Sequence, residues 1–212
     1  MASSEIALCN AALRRIGQKT IASLTDPSEL ARTVNDLYSE VRDQVLSIHP
    51  WNCATRRASL ALLADAPPWG FSKAFALPAD FLRLVRSEYA DDLWRMETIA
   101  RADGTLTRAI VTDLSQMRIV YIARIADVTL MDAFVQRAIE YRLAAEIADR
   151  ITGSQEKRQA MESLYRDALD EARFQDSRTA PPTDDLRPSA FLGARIGGGT
   201  LHEERRWSNL DV

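Results

Sequence analysis

Few residues in this 212-residue chain are of a type and spacing that could do chemistry. His49 and His202 are its two histidines. A zinc site or a nucleophile–base pair needs a Cys, His or carboxylate at matching spacing, and neither histidine has one. His49 is expected at a helix end instead. Cys9 and Cys53 fall on different elements without metal-ligand spacing, so they read as two reduced, partly buried thiols. Asp91-Asp92 and Asp184-Asp185 could be imagined as metal carboxylates, but adjacent acids in loops are solvated. Gly197-Gly198-Gly199-Thr200 lacks the lysine of a phosphate loop and follows no apolar strand, so its glycines signal flexibility. The chain contains neither a Gly-x-Ser-x-Gly elbow nor a His-Glu-x-x-His helix. No catalytic residue, cofactor site or metal ligand is therefore expected, and the chain is not expected to be an enzyme.

Charge narrows the partners. With 30 acidic residues against 27 basic, the formal charge is −3, whereas a dedicated nucleic-acid binder needs a clustered excess of Lys and Arg for counterion release. No apolar run approaches the roughly 20 residues needed to span a bilayer, and the first residues lead into an amphipathic segment without a signal-peptide core. Production in a cytosol is expected. Since 46% of the residues are apolar, the chain can bury one compact core and still carry an appendage.

Helices are expected at both ends of the folded part. Ile6, Cys9, Leu13 and Ile16 recur at helical spacing, and Gly17 supplies the left-handed position that ends the first helix. Asp26-Pro27-Ser28-Glu29 reads as a second start, with Asp26 as cap, Pro27 at the first position and Glu29 reaching back. The buried stripe expected there is Leu30, Val34, Leu37, Val41, Val45 and Ile48, stopped at His49-Pro50 because a residue before proline avoids helical geometry. The connection from Gly17 to Asp26 is too long, and the second helix begins too acidic, for a DNA-reading helix-turn-helix.

From Trp51 the period changes. Ala66-Pro67-Pro68-Trp69-Gly70 and Leu77-Pro78-Ala79-Asp80 read as loops. Strands are expected over 81–86, 93–99 and 105–112, with Asp103-Gly104 as a tight hairpin turn. Met117, Ile119, Tyr121, Ala123 and Ile125 alternate with Arg118 and Arg124, the pattern of a half-buried strand. One small antiparallel sheet is expected. Thr129 and Asp132 then offer a capping box for a third helix with the stripe Met131, Phe134, Ala138, Tyr141, Ala145 and Ala148, ending at Gly153. Ser154 caps a fourth, with Met161, Leu164, Ala168 and Ala172 inward and Tyr165 and Leu169 widening that face.

Beyond Ser177 the pattern gives way to proline- and glycine-rich sequence that cannot build a core. Phe191, Leu192, Ile196, Leu201, Trp207 and Leu210 are scattered there among polar residues. Apolar anchors on such a segment suggest docking on another chain. The fold class expected is α+β: a four-helix bundle with a β-rich insertion over 50–126, helices within 1–49 and 127–178, and an extended arm over 179–212.

Four segments carry a family resemblance. Ala7-Leu8-Cys9-Asn10-Ala11-Ala12-Leu13-Arg14-Arg15-Ile16-Gly17, Ile21-Ala22-Ser23-Leu24, His49-Pro50-Trp51-Asn52 and Phe75-Ala76-Leu77-Pro78-Ala79-Asp80-Phe81-Leu82-Arg83, in that order and spacing, resemble the tail tubular protein A family of head-to-tail adaptors in short-tailed phages and related prophages. The resemblance covers residues 5–86 well and the last two helices more loosely; the arm after Pro188 does not match. It implies a helical bundle with a β-rich insertion and a virion protein assembled in the host cytoplasm. The implied assembly is a dodecameric homo-oligomeric ring between the portal protein and the tail nozzle or tail tube, around a channel that passes double-stranded DNA without specific binding. It implies no catalytic residues and no membrane partner. A ring subunit needs two heterologous interfaces, for which Trp69, Phe71 and Trp94 are candidates. The arm anchors are candidates for portal or neighbour-subunit binding. Two other classes stay open: a stopper or connector of a long-tailed phage or gene transfer agent, and a small cytosolic enzyme with an unrecognised site.

Overall fold

The computed structural model describes residues 4–179, which form four helices and two three-stranded antiparallel sheets, an α+β chain. Helix α1 spans Glu5–Arg15. The Ser4 hydroxyl accepts the Ala7 N–H at its start, and Gly17 just past its end takes φ +76°, a conformation that costs glycine little. Helix α2, Glu29–Ile48, starts two residues later than its sequence suggests. Ser28 is the cap, accepting the Ala31 N–H, while the Asp26 carboxylate accepts the N–H groups of Ala22 and Ser23 and closes the preceding loop. Both residues have capping chemistry, and the loop takes the first of them. At the far end His49 is extended, as the residue before Pro50 must be.

Helices α3 (Ala133–Thr152) and α4 (Gln155–Thr179) follow the strands. Asp132 precedes α3 without making a side-chain cap bond, and Asp127 instead accepts the N–H and hydroxyl of Thr129, so the expected capping box is absent. Gly153 ends the helix at φ +63° and Ser154 caps the next. Helix α3 packs against all three other helices, and its buried residues include Val135, Ile139, Leu143 and Ile147, none of them in the expected stripe. A helix enclosed on several sides has a weak apolar period, so the expected stripe, buried at Ala138, Ala145 and Ala148 with Phe134 and Tyr141 packed against the same core, is only part of what this helix buries. The alanines at 138, 144, 148, 168 and 172 are all buried and let the backbones approach. Helix α1 is clamped to α3 by Arg15, whose Nε lies 2.6 Å from Glu140 Oε1 and whose guanidinium sits 4.8 Å from the Tyr141 ring centroid. Ile48 and Leu164, expected inward, are exposed.

The strands are β1 (Thr55–Ser59), β2 (Lys73–Ala76), β3 (Phe81–Ser87), β4 (Trp94–Ala100), β5 (Leu106–Thr112) and β6 (Arg118–Ala123). They form two sheets where the sequence suggested one, in the orders β1-β6-β3 and β2-β5-β4. Strands β1 and β2 have no counterpart among the expected ones. The β4–β5 turn is longer than a two-residue hairpin: Ala100 pairs with Leu106, Arg101 and Thr105 bond across the base, and Gly104 stands at φ +80°.

Strand β6 joins two cores. Ile119, Tyr121 and Ala123 face the second sheet and bury Phe75 and Ile110 from it, whereas Ile122, one residue out of phase, is buried in the helical core. The far side of the second sheet, with Ala74, Ile99, Ala109 and Val111, is covered by Leu63 and Phe71 from the loop between β1 and β2.

Candidate functional site

The polar groups that the fold brings together most closely lie where α2, β1 and the last turns of α4 meet. His49 Nε2 is 3.2 Å from Asp176 Oδ2, and the other carboxylate oxygen accepts the Asn52 N–H at 2.9 Å. The Asn52 amide donates to the Asp176 carbonyl and to the Thr179 hydroxyl. Beneath them Trp51 is fully buried, its ring 4.6 Å from that of His49 and its Nε1–H donated to the Val45 carbonyl. His49 stands at a helix end, where its sequence context put it. Asp176 escaped notice, although its position four residues after the inward Ala172 places it on the buried face of α4.

An aspartate–histidine pair invites comparison with hydrolytic sites, but a third member would have to supply a nucleophile. The neighbouring thiol, Cys53, is half-buried, and desolvation pushes it up to about 11. Burial raises Cys9 to about 12, with Glu5 adding to the effect. Activated thiols are shifted the other way, so at neutral pH both cysteines are protonated and inert. Native protein treated with iodoacetamide at pH 8 is expected to keep both thiols unmodified by mass spectrometry while unfolded protein takes up two adducts. Fast native labelling of Cys53 would show that its surroundings activate it. What the cluster does is fasten: it ties the end of α4 to the junction between α2 and β1. Among the described residues no group of three or more His, Cys, Asp or Glu side chains could hold a metal ion, and no helix is long and apolar enough to cross a membrane.

The three aromatic interface candidates differ in what they offer a partner. Trp69 is 85% exposed, the most exposed of the large apolar side chains among the described residues, and follows the prolines of the β1–β2 loop. Phe71 is half-buried against the covered side of the second sheet. Trp94 is also half-buried, packed into the core between the sheets, and its buried ring N–H has no acceptor among the described residues. Phe71 and Trp94 thus contribute to the body's own cores, and Trp69 is the candidate left free. The anchors Phe191, Leu192, Ile196, Leu201, Trp207 and Leu210 lie outside the described residues.

One end of the second sheet gathers the projecting groups. Asp113, just after β5, accepts the N–H and hydroxyl of Ser72, which hold its carboxylate below the usual range and pin the Trp69 loop. The neighbouring Thr112 hydroxyl donates to the Leu93 carbonyl at 2.6 Å, pinning the short turn Asp91–Leu93 beside it. No family model matches the chain, and no curated protein matches it.

Proposed function

We propose that the protein is a head-to-tail adaptor of a tailed phage, a structural subunit that forms a ring, dodecameric by the resemblance, between portal and tail nozzle around the DNA channel. On this assignment the bundle of α1–α4 is the ring body, and the two-sheet region is an insertion carried by it.

The observation that carries the proposal is where the four family-like segments fall, since each supplies a joint of the fold. Asn10, from the first, clasps Ile21, from the second, by two hydrogen bonds of 2.9 and 2.8 Å. His49, Trp51 and Asn52, from the third, build the fastening on Asp176. Asp80, from the fourth, receives the Tyr121 hydroxyl and the Arg56 guanidinium and so ties the chain before β3 to β6 and β1. Residues that carry the resemblance by their order in sequence thus cooperate in space, as a shared scaffold would require.

Two measurements test the assignment. Mass photometry of the protein mixed with its purified portal is expected to give a stoichiometric ring complex even where the protein alone is monomeric; no such complex over a wide concentration range overturns the adaptor role. Fluorescence anisotropy with duplex DNA at physiological salt is expected to give non-specific affinity on the order of 10⁻⁴ M or weaker, because a channel that passes DNA cannot grip it and the chain carries a net charge of −3. Tight or sequence-selective binding would instead point to a DNA-binding protein.

A further inference from the structure

The outer face of the first sheet carries a positive patch. Arg57 on β1 and Arg86 on β3 both pair in register with Val120 of β6, so the two guanidinium groups flank one half-buried valine, their Cα atoms about 10 Å apart at two strand spacings. Both arginines are exposed and neither makes an ion pair among the described residues. One row away Arg118 is held by Glu88 at 2.6 Å, and one row toward the helices the buried Nε of Arg83 has no acceptor among the described residues. Arg57, Arg86, Arg118 and Glu88 border a shallow groove of about 360 Å³ that Val120 also lines.

The same body carries the complementary feature elsewhere. In the turn at the end of the second sheet, Asp91 and Asp92 are exposed and free of ion pairs among the described residues, and Leu93 beside them is 44% exposed. Two carboxylates followed by an apolar side chain match two guanidinium groups around a valine. Exposed Trp69 stands three residues before Ser72, which Asp113 holds at the same end of the sheet, and would add the aromatic anchor that interfaces favour.

We propose that the Asp91–Leu93 turn of one copy docks in the Arg57–Val120–Arg86 groove of the next copy. The proposal rests on the ring assignment and names one of its subunit contacts. Because the two surfaces lie on different parts of one chain, the contact is heterologous and continues from copy to copy until the rotation closes a ring. Desolvation at such a contact strengthens the charge pairs, and like charges there repel strongly.

The test uses the full-length chain with its portal and compares Arg57→Glu/Arg86→Glu, Asp91→Lys/Asp92→Lys and the chain carrying all four substitutions. All four positions are exposed, so the melting temperature is expected to stay at the wild-type value. Ring assembly followed by mass photometry is expected to need at least roughly tenfold more protein for each charge-reversed pair, and the four-substitution chain, with the signs exchanged, is expected to recover. Wild-type rings with unimpaired variants, or no recovery on exchanging the signs, overturn this contact and leave the adaptor role standing. Absence of any ring from the wild-type protein overturns both.

Discussion

Replacing Trp51 by alanine is expected to destabilise the body by about 3–5 kcal/mol, the usual cost of deleting a large buried aromatic side chain. In a domain of this size each kcal/mol moves Tm by roughly 2–4 °C, so the midpoint should fall by on the order of 10 °C. The expectation rests on more than lost area. Trp51 is fully buried between the end of α2 and the helical core, and its Nε1–H donates 2.9 Å to the carbonyl of Val45. That carbonyl lies in the last turn of α2, where the backbone has run out of amide partners because His49 is already extended. One side chain thus fills the core and satisfies a helix end. Trp51→Phe keeps an aromatic ring, a smaller one, and loses the donor; about 1–3 kcal/mol is expected for leaving the carbonyl unpaired, in addition to the smaller loss of packing. Thermal unfolding of the three proteins, with the Cys53 labelling rate as a local probe, checks this. A Trp51→Ala protein melting within about 2 °C of wild type would mean that the junction is not the fastening described.

What the sequence shows and what it hides around this junction have one cause. Features set by residues close in sequence were legible: Gly17 ends α1, Pro50 stops α2, Gly153 ends α3, and the alternation through Met117, Ile119, Tyr121 and Ala123 marks β6. Features set by distant partners were not. β1 contains Arg56 and Arg57 and shows no alternation of its own; it is a strand because β6 offers it a ladder from Thr55–Ile122 to Ser59–Arg118. Strand β6 pairs with β1 and β3 rather than with the adjacent hairpin, so two sheets form, and nothing local in β6 announces that choice. The same limit applied to the site. His49 was legible as a helix end, but its partner Asp176 lies 127 residues on. Trp94 is an interface candidate in sequence only as an aromatic residue that a ring subunit could use, yet its register opposite Thr112 turns the ring into the core between the sheets. Trp69 stayed exposed because the prolines before it keep its loop out of both ladders.

Deleting residues 180–212 is expected to abolish portal binding while leaving the cooperative melting of the body nearly unchanged. The described body completes its four helices and its apolar clusters within residues 4–179, which is the reason for expecting an independent melt. Where the cut falls matters. A truncation after Ser177, where the helical sequence pattern fades, would remove Thr179, whose hydroxyl both receives the Asn52 amide and donates to the Asp176 carbonyl, and would thereby loosen the junction of α4 with β1. The cut therefore belongs after Thr179. Phe191, Trp207 and Leu210 are the anchors expected to carry docking, because a buried aromatic or leucine side chain supplies roughly 1.5–3 kcal/mol where its polar neighbours supply little. A segment that orders on binding must first offset its conformational entropy, so losing one anchor can remove most of the net affinity. Full-length protein, the truncation after Thr179 and Trp207→Ala are compared for Tm and for complex formation with purified portal. Matched melting with lost binding in the truncation, and weakened binding in Trp207→Ala, is the expected pattern. If the truncated body unfolds, residues beyond Thr179 belong to the fold; if it binds portal as well as the full chain, the docking surface must be sought on the body itself, with Trp69 the first side chain to change.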